Sequence, residues 1–522
     1  MIINSIFMKS PEMRLKSNQM PKRIFIYGWD GADPDYISEF LDKGLLPNLK
    51  NLYDNYFSGI LHSVNPPISP AAWSSFLTGL NPGKHSIFDW NRFNRKTGEY
   101  TLNNFSNIHG LTMPEILEKY EKTTCLIGLP LMHPVQKING FWMPGFYTPS
   151  EIPDRDKFYP MDIVDELERA DIKIQMQRPS IQLRQTDFDK YIDGYIEVDR
   201  QQARAACYCY SKHNVDFTFI RNGSVDLINH EADDFAFLEK VYIEADKDLG
   251  EILNSLDSET LFILMSDHGN MRIEKAFYIN ELLYQNGFIY FPIKISDKLN
   301  KRNRELIEKN YGQTAALLWN LIPRGAKGLL KRLRFHDDNI DFQNSRAYNP
   351  VRLGQIYILG DDLENTRDEV VKVLMECEII NSNSIYLDED IYNGPFKDEG
   401  PDILFTLNDP HTYIMSTING RGIYTEPLSG GGHNSRGVIY SNLEKDKVKR
   451  RDKYSIMDIF PSVLNALNIP VPSVVDGLNF LDAEESYEDF DEETYLKARN
   501  LETYNSEESE KIKERLKDLG YL

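Results

Sequence analysis

Short apolar runs that alternate with helical patterns constrain the fold of this chain most strongly. The helical patterns include Asp35–Leu41, Phe237–Leu256 and Ile456–Leu467. The apolar runs are rich in β-branched and aromatic residues, which is typical of buried strands, and a turn bearing Gly or Asp follows each. These predicted strands are Arg23–Gly28, Thr123–Gly128, Asp216–Arg221 and Thr260–Met265. The alternation predicts an α/β fold in which helices cover both faces of a mostly parallel sheet.

Composition and charge set the broad class of the protein. The chain has 522 residues, which is enough for several domains or for one large α/β domain with insertions. A hydrophobic content of 41% and a charged content of 27% are typical of a globular protein with a substantial core. The formal net charge of −21 disfavours binding to nucleic-acid polymers, whose backbones attract basic proteins.

The sequence carries no recognisable targeting or membrane-spanning segment. The N-terminal residues lack the apolar stretch of a signal peptide, and no apolar run reaches the roughly 18 residues of a transmembrane helix. The four cysteines are not arranged as a disulfide framework. We therefore expect a cytoplasmic protein.

One stretch of the chain is basic and contains Arg324, Lys327, Lys331, Arg332 and Arg334. We interpret it as a solvated helix face, with peripheral contact to anionic lipid as the alternative.

Changes of composition along the chain predict three regions. Residues 1–21 form a flexible leader, residues 22–481 form the catalytic domain, and residues 482–522 form an acidic tail that ends in a charged helix. Two polar stretches, at about 150–200 and 276–345, break the alternation of strands and helices. We interpret both as inserted cap segments.

Asp and His residues recur at the predicted strand ends and in short spaced pairs. Asp226 and His230 are four residues apart, which places both on one face of a helix. Asp30, Asp267 and His268 follow predicted strands directly, where ligands collect in parallel sheets. Taken singly, each has an ordinary structural explanation as a solvated or core residue. Together, three carboxylates and three imidazoles can bind two divalent metal ions. The six are Asp30, Asp226, His230, Asp267, His268 and His433.

Ser69 stands just before a predicted helix that ends near Gly79. We predict Ser69 at the N-cap and Pro70 at the first helical position, and an N-cap serine needs no function to explain it. The alternative is that Ser69 is a nucleophile, because a helix N-terminus stabilises an anion. A serine beside two metal ions would attack phosphorus or sulfur esters.

The motifs in this order resemble the alkaline phosphatase superfamily, and in particular its type I phosphodiesterase/nucleotide pyrophosphatase branch, over about residues 22–481. The matching pieces are WDGAD, a serine nine residues before TGLNPGKH, DLINH, SDHG and GGH. The resemblance implies an alkaline-phosphatase-like fold in which Ser69 is the nucleophile. It implies one metal held by Asp226, His230 and His433. The second would be held by Asp30, Asp267 and His268, with Ser69 joining.

The resemblance implies two zinc ions, with manganese as the alternative, and the mixed nitrogen and oxygen ligands suit zinc.

Several positions depart from the family pattern. Many of these phosphodiesterases have threonine where this chain has Ser69, and they place an asparagine about twenty residues later. That count reaches Trp90, so Asn91 becomes the candidate for holding a phosphoryl oxygen. His85 matches a family position near the site and is predicted to support the ligands. No arginine follows Ser69 at the spacing that sulfatases require.

The sequence thus predicts a hydrolase of a small phosphorylated substrate, of the phosphodiesterase/nucleotide pyrophosphatase type. Phosphomonoesterases and phosphomutases of the same superfamily carry the same constellation and remain alternatives. A catalytically silent protein that binds a phosphorylated ligand is the alternative of another class, and metal content per chain distinguishes it. Nucleotides, lipid headgroups and sugar phosphates all satisfy the motifs.

Overall fold

The computed structural model describes residues 21–145, 148, 154–174, 179, 181–232, 234–291, 340–418, 422–425, 430–497, 499 and 506–518. The strands are β1 (Arg23–Trp29), β2 (Ser58–His62), β3 (Asn91–Phe93), β4 (Tyr100–Leu102), β5 (Thr124–Ile127), β6 (Gly140–Met143), β7 (Phe217–Asn222), β8 (Thr260–Met265), β9 (Gly269–Ile273), β10 (Lys275–Tyr278), β11 (Ala347–Tyr348), β12 (Gln355–Ile358), β13 (Ile380–Leu387), β14 (Ile403–Leu407), β15 (Thr412–Met415), β16 (Tyr424–Thr425), β17 (Gly430–Asn434), β18 (Arg436–Ser441), β19 (Tyr454–Ser455), β20 (Val471–Pro472) and β21 (Tyr487–Glu488).

The helices are α1 (Pro34–Asp42), α2 (Pro47–Asn55), α3 (Ser69–Thr78), α4 (Pro82–His85), α5 (Met113–Lys119), α6 (Ile163–Arg169), α7 (Ile181–Thr186), α8 (Phe188–Lys212), α9 (Ser224–Glu231), α10 (Phe235–Ser255), α11 (Ile279–Gln285), α12 (Leu363–Glu376), α13 (Asp388–Ile391), α14 (Ile459–Ala466), α15 (Glu492–Tyr495) and α16 (Ser506–Asp518). Short 3-10 turns occur at Phe105–Asn107, Asp154–Lys157, Lys397–Glu399, Lys445–Lys447 and Ile456–Asp458.

The main sheet has eight strands in the order β19-β2-β18-β8-β1-β7-β5-β6. β1 lies between β7 and β8 and is parallel to both, and β5 is parallel to β7 and β6. β18 runs antiparallel to its neighbours β8 and β2. The prediction of a mostly parallel α/β sheet is therefore confirmed.

Each face of the main sheet is covered by helices, because alternate residues of a strand point to opposite faces. In β1, Ile24 and Ile26 pack into the core that includes α3 and α14. Phe25, Tyr27 and Trp29 pack into the opposite core with residues of α1, α2, α8 and α10. Both cores are almost entirely excluded from solvent.

A second lobe contains the four-stranded sheet β11-β12-β14-β13 and helix α12. Its core joins Phe277 and α11 to residues of these strands and to Phe93 of β3. The three-stranded sheet β15-β10-β16 and the ladder of β9 with β17 connect this lobe to the end of β8. The second lobe thus reaches the edge of the main sheet where the Asp and His residues gather.

Several predicted segments can be located only in part. The part of the predicted cap at 150–200 that is described includes α6 and the first half of α8, which pack in the same core as α10. The leader up to residue 20 and the basic stretch at 324–334 lie outside the described residues. Among the described residues, no helix is both long and apolar enough to cross a membrane.

Candidate metal centre and active site

The parallel registry of three strands brings the predicted ligands to one edge of the sheet. Gly28 of β1 lies opposite Arg221 of β7 and Met265 of β8, so the three strands end side by side. Asp30 follows β1, and Asp267 and His268 follow β8. α9 begins directly after β7 and carries Asp226 and His230. The antiparallel pairing of β17 with β9 then places His433 opposite Asn270, two residues beyond His268.

The first group consists of Asp226, His230 and His433. Asp226 Oδ1 lies 3.4 Å from His230 Nε2 and 3.3 Å from His433 Nε2. The two Nε2 atoms are 2.7 Å apart. The Nδ1 atom of His230 lies 2.9 Å from the carbonyl oxygen of Gly431, and that of His433 lies 3.2 Å from the oxygen of Pro67. Because an Nδ1–H that donates to a carbonyl leaves Nε2 as an acceptor, both rings can offer lone pairs at the same point.

The second group surrounds Ser69. Ser69 Oγ donates to Asp30 Oδ1 at 3.3 Å and lies 3.2 Å from His268 Nε2. His268 Nε2 is 3.3 Å from Asp267 Oδ2 and 3.7 Å from Asp30 Oδ1. The rings of His268 and His433 stack with centroids 3.8 Å apart, so the two groups are in contact.

The electrostatics of the cluster fit bound cations. Asp30, Asp226 and Asp267 are all fully buried. Burial, and next the charge of Asp30, raise the pKa of Asp267 well above its usual range. Asp267 Oδ1 accepts a hydrogen bond from the N–H of Gly31 at 3.0 Å, whereas Oδ2 is buried without a hydrogen-bond partner. Buried carboxylates at this density are costly without positive charge beside them.

The donor atoms also have the spacing of metal ligands. Asp226, His230 and His433 offer atoms within 4.8 Å of one another, and so do Asp30, Asp226 and His268. Carboxylate oxygens and imidazole nitrogens together suit zinc and related divalent ions. Asp226 therefore lies close to both sets of candidate ligands, whereas the family resemblance assigned it to one metal only. Motif spacing does not reveal this relation.

Ser69 does not cap its helix as predicted. α3 begins at Ser69 itself, the cap position is Ile68, and no side chain caps the helix there. The Ser69 hydroxyl points instead to Asp30 and His268. The prediction that Ser69 is an ordinary N-cap is thus wrong, because its hydroxyl bonds to Asp30 and not to a backbone N–H of the helix.

Two residues that sequence reasoning missed hold the Asp30 carboxylate. Trp73 Nε1 donates to Asp30 Oδ2 at 2.9 Å, and Arg221 Nε donates to the same oxygen. Trp73 lies one helical turn after Ser69, and Arg221 lies near the end of β7, so strand and helix positions could have indicated both. Their contacts leave Asp30 Oδ1 directed at Ser69.

His85 and Asn91 lie on the segment that follows α3. His85 Nε2 is 2.8 Å from Ser75 Oγ, and its Nδ1 accepts from the N–H of Ile87 at 3.1 Å. Burial lowers the pKa of His85 to about 3, so the ring is neutral and braces α3 against the next turn. Asn91 begins β3 and is buried, with Oδ1 lacking a hydrogen-bond partner. Its role at a phosphoryl oxygen stays a prediction.

Comparison with known proteins identifies the class to which this fold and site belong. The family described as type I phosphodiesterase/nucleotide pyrophosphatase matches residues 25–436, and the chain belongs to this family. It is a phosphoester hydrolase, as the motifs predicted. No curated protein sequence gives a significant match.

Solved structures share the fold at low sequence identity. Phosphonoacetate hydrolase from Sinorhizobium meliloti 1021, in complex with phosphonoacetate, is 15% identical with a TM-score of 0.55, covering 86% of this chain and 96% of its own. Alkaline phosphatase PafA is 15% identical with a TM-score of 0.52, covering 88% and 98%. Human ectonucleotide pyrophosphatase/phosphodiesterase 5 is 13% identical with a TM-score of 0.50, covering 88% and 100%.

Proposed function

We propose that the chain is a metal-dependent phosphodiesterase of the nucleotide pyrophosphatase type and that Ser69 is its nucleophile. The observation that carries the proposal is the Ser69 hydroxyl, which lies 3.3 Å from Asp30 Oδ1 and 3.2 Å from His268 Nε2. The position at the first turn of α3 adds the partial positive charge of a helix N-terminus.

The chain would hold two divalent ions, with zinc preferred and manganese as the alternative. Asp226, His230 and His433 would hold one. Asp30, Asp267 and His268 would hold the other, with Ser69 joining and Asp226 close to both. Bound ions of this kind lower the pKa of a neighbouring hydroxyl and neutralise negative charge that develops during ester cleavage.

The residues of the chain would act in two stages. Ser69 Oγ loses its proton to solvent and forms a bond to phosphorus, while the bond from phosphorus to the leaving oxygen breaks. The leaving group departs with that bonding electron pair. Water then attacks the phosphoseryl ester, and the Ser69 oxygen leaves and regains a proton. Asp30 orients the hydroxyl, and Trp73 and Arg221 hold Asp30 in place.

The substrate would be a small phosphorus-containing ester. The phosphonoacetate in the structure of the phosphonoacetate hydrolase named above is also a small phosphorus compound, although it is a phosphonate and not an ester. A phosphomonoesterase would use the same residues and differ only in preferring an ester with one carbon substituent. A silent phospho-ligand-binding protein would show no turnover with either metal.

The central test is Ser69→Ala. We expect turnover of the metal-loaded protein to fall by more than about a thousandfold, because no covalent intermediate can form. Metal content per chain should be largely retained. Ser74→Ala is the matched control, because Ser74 is a buried serine on the same helix and belongs to neither candidate ligand group.

The assay should compare an aryl phosphate monoester, an aryl phosphate diester, a nucleotide ester and a sulfate ester, with zinc and manganese supplied separately. Near-normal activity of Ser69→Ala would show that Ser69 is not the nucleophile. Failure of the wild type on every phosphate ester would contradict the hydrolase assignment.

A further inference from the structure

Asn270 contacts the carboxylate that lies close to both ligand groups. It belongs to β9 and pairs with His433 of β17, so its backbone is joined to one candidate ligand. Its side chain reaches another, because Asn270 Nδ2 donates to Asp226 Oδ1 at 3.3 Å. One residue therefore connects two ligands that lie far apart in the sequence.

Gly31 packs closely around this contact. A Cβ atom added to Gly31 would lie 2.4 Å from Asn270 Nδ2 and 2.7 Å from Asp226 Oδ1. The N–H of Gly31 donates to Asp267 Oδ1 at 3.0 Å, and Gly31 directly follows Asp30. The Asn270 amide and the Asp226 carboxylate thus lie against the backbone that carries a ligand of the second group.

Asn434 fixes the backbone of Asn270. Asn434 Nδ2 donates to the carbonyl of Asn270 at 2.9 Å and to Asp33 Oδ2 at 2.8 Å. Asp33 Oδ1 in turn accepts from the N–H of Asp35 in the first turn of α1 at 2.8 Å. The Asn270 backbone is thus anchored to β17 and α1, and it presents its amide to Asp226 from a fixed position.

Packing alone does not explain an amide at this position. Asn270 is 2% exposed, and its Oδ1 atom is buried without a hydrogen-bond partner among the described residues. A buried polar atom that is left unpaired lowers stability, whereas an apolar side chain of similar shape has no such atom. If Asn270 only filled space, leucine would serve as well. The bond from Nδ2 to Asp226 is the contact that leucine cannot make.

The oxygen that Asn270 contacts is the one that faces both imidazoles of the first group. Asp226 Oδ1 lies 3.4 Å from His230 Nε2 and 3.3 Å from His433 Nε2. Rotation of the Asp226 carboxylate would move this oxygen away from both rings. A hydrogen bond from a neighbouring side chain holds such a ligand in one orientation, so less ordering is needed when an ion binds.

We propose that Asn270 is a positioning residue that raises the affinity of the chain for its metal ions by fixing Asp226 Oδ1. This inference rests on the proposed function, because it requires that the cluster binds divalent ions. The hydrogen bond belongs to the folded chain and exists before an ion binds. Its removal should therefore weaken metal binding more than it weakens the fold.

The test compares two substitutions that affect packing and hydrogen bonding differently. Asn270→Leu keeps the shape approximately and removes the donor. Asn270→Ala leaves a space beside Asp226 that a water molecule can enter, and the water can donate in place of the amide. We expect zinc affinity to decrease in the order wild type, Asn270→Ala, Asn270→Leu. In Asn270→Leu at least one zinc dissociation constant should rise by about tenfold or more.

The stability of the metal-free variants should follow a different order. Asn270→Leu should shift the unfolding midpoint by less than about 2 °C, because the lost hydrogen bond and the removed unpaired oxygen offset each other. Asn270→Ala should lower the midpoint further, because it leaves a cavity in a packed site. Competition with a chromophoric chelator measures the zinc dissociation constants, and calorimetry of the metal-free protein measures the midpoints.

Asn465→Leu is the matched control. Asn465 is also a buried asparagine whose Oδ1 atom has no hydrogen-bond partner in the described part of the chain. Its Nδ2 donates to the carbonyl of Glu484 at 2.7 Å and not to a candidate ligand. Its replacement should change zinc affinity by less than about twofold, because separate sites act independently. The control distinguishes the loss of a buried amide from the loss of the bond to Asp226.

The two proposals fail in different ways. Equal zinc affinity in the wild type and Asn270→Leu would show that Asn270 does not position Asp226, and only this inference would be wrong. The same conclusion would follow if Asn270→Ala bound zinc more weakly than Asn270→Leu, because affinity would then follow packing. If the wild-type chain binds neither zinc nor manganese, the proposed metal-dependent function is contradicted, and the inference falls with it.

Discussion

At the scale of single residues, Asp30 shows how one carboxylate serves two purposes. Its Oδ2 atom accepts hydrogen bonds from Trp73 and Arg221, and its Oδ1 atom accepts from Ser69. Because the first set of contacts fixes the carboxylate plane, the second oxygen is presented to the hydroxyl in a fixed direction. A hydrogen-bonding group that is fixed in place in this way stabilises charge more strongly in a buried site than in water.

Asp89 is a buried carboxyl of the segment between α3 and β3 whose ionisation opposes folding. Burial raises its pKa from 3.8 to about 7, so the folded state holds a proton that the unfolded state has released at neutral pH. The uptake of this proton by Asp89 therefore adds to the free energy of unfolding. This stabilisation is fully present below pH 3.8 and is lost as the pH rises through about 7. Replacement by Asn keeps the shape and removes the charge.

We therefore expect Asp89→Asn to be more stable than the wild type at pH 8, by a few kcal/mol, and to gain much less at pH 5. Chemical denaturation at the two pH values measures both differences. Asp446→Asn, at an exposed position, is the control. A gain that is equal at both pH values would mean that Asp89 is not the group that titrates.

At the scale of elements, α3 places Ser69 and depends on the glycine at its end. Gly79 has a positive φ of 68°, and an added Cβ would meet Val475 Cγ1 at 2.7 Å and Phe460 Cδ1 at 2.8 Å. Gly44, which follows α1, has a similar φ of 71° with nothing within 4 Å of the added atom. The two positions share the backbone strain of the left-handed region but differ in packing.

Gly79→Ala should lower the free energy of unfolding by about 2–4 kcal/mol, the sum of left-handed strain and overpacking. Gly44→Ala should cost only about 1 kcal/mol, because strain alone acts there. Denaturant titration of the two variants gives the difference directly. Equal losses would show that the packing of α3 against Phe460 and Val475 adds nothing.

The elements that sequence patterns predicted well are those whose burial is set locally. The predicted strand Thr260–Met265 is β8 without change, and Phe237–Leu256 is α10 shifted by two residues at its start. The apolar runs are buried on both faces of the sheet, so their composition alone reveals them. β18 and the second-lobe sheet escaped prediction. β13 has an exposed face and so carries a weaker pattern, whereas β18 is buried except at Arg436.

At the scale of the whole molecule, bound metal should stabilise the fold. The three buried carboxylates of the cluster repel one another, so cations that bind the folded chain but not the unfolded chain shift the equilibrium toward folding. At a thousandfold excess over the dissociation constant the gain is about 4 kcal/mol per site. We expect zinc to raise the unfolding midpoint and a chelator to reverse the rise.

Differential scanning calorimetry of the metal-free and metal-loaded protein measures this stabilisation. His433→Gln should reduce it, because one group loses a nitrogen ligand while the fold keeps its cores. An unfolding midpoint that zinc leaves unchanged would contradict metal binding at the cluster.

The sequence alone determined the class of fold, the edge of the sheet where the candidate site lies, and the chemical types of the candidate ligands. These follow from local properties: strand and helix periodicity, Gly-bearing turns, and the order of Asp and His motifs along the chain. Only the tertiary structure brought the candidate ligands together in two groups and placed Asp226 close to both of them. It alone showed that the Ser69 hydroxyl contacts Asp30 and His268 and does not cap its helix. The reason is that these relations join residues distant in the sequence, such as Ser69 and His268, which are 199 positions apart, and strand pairing and core packing decide which of them meet.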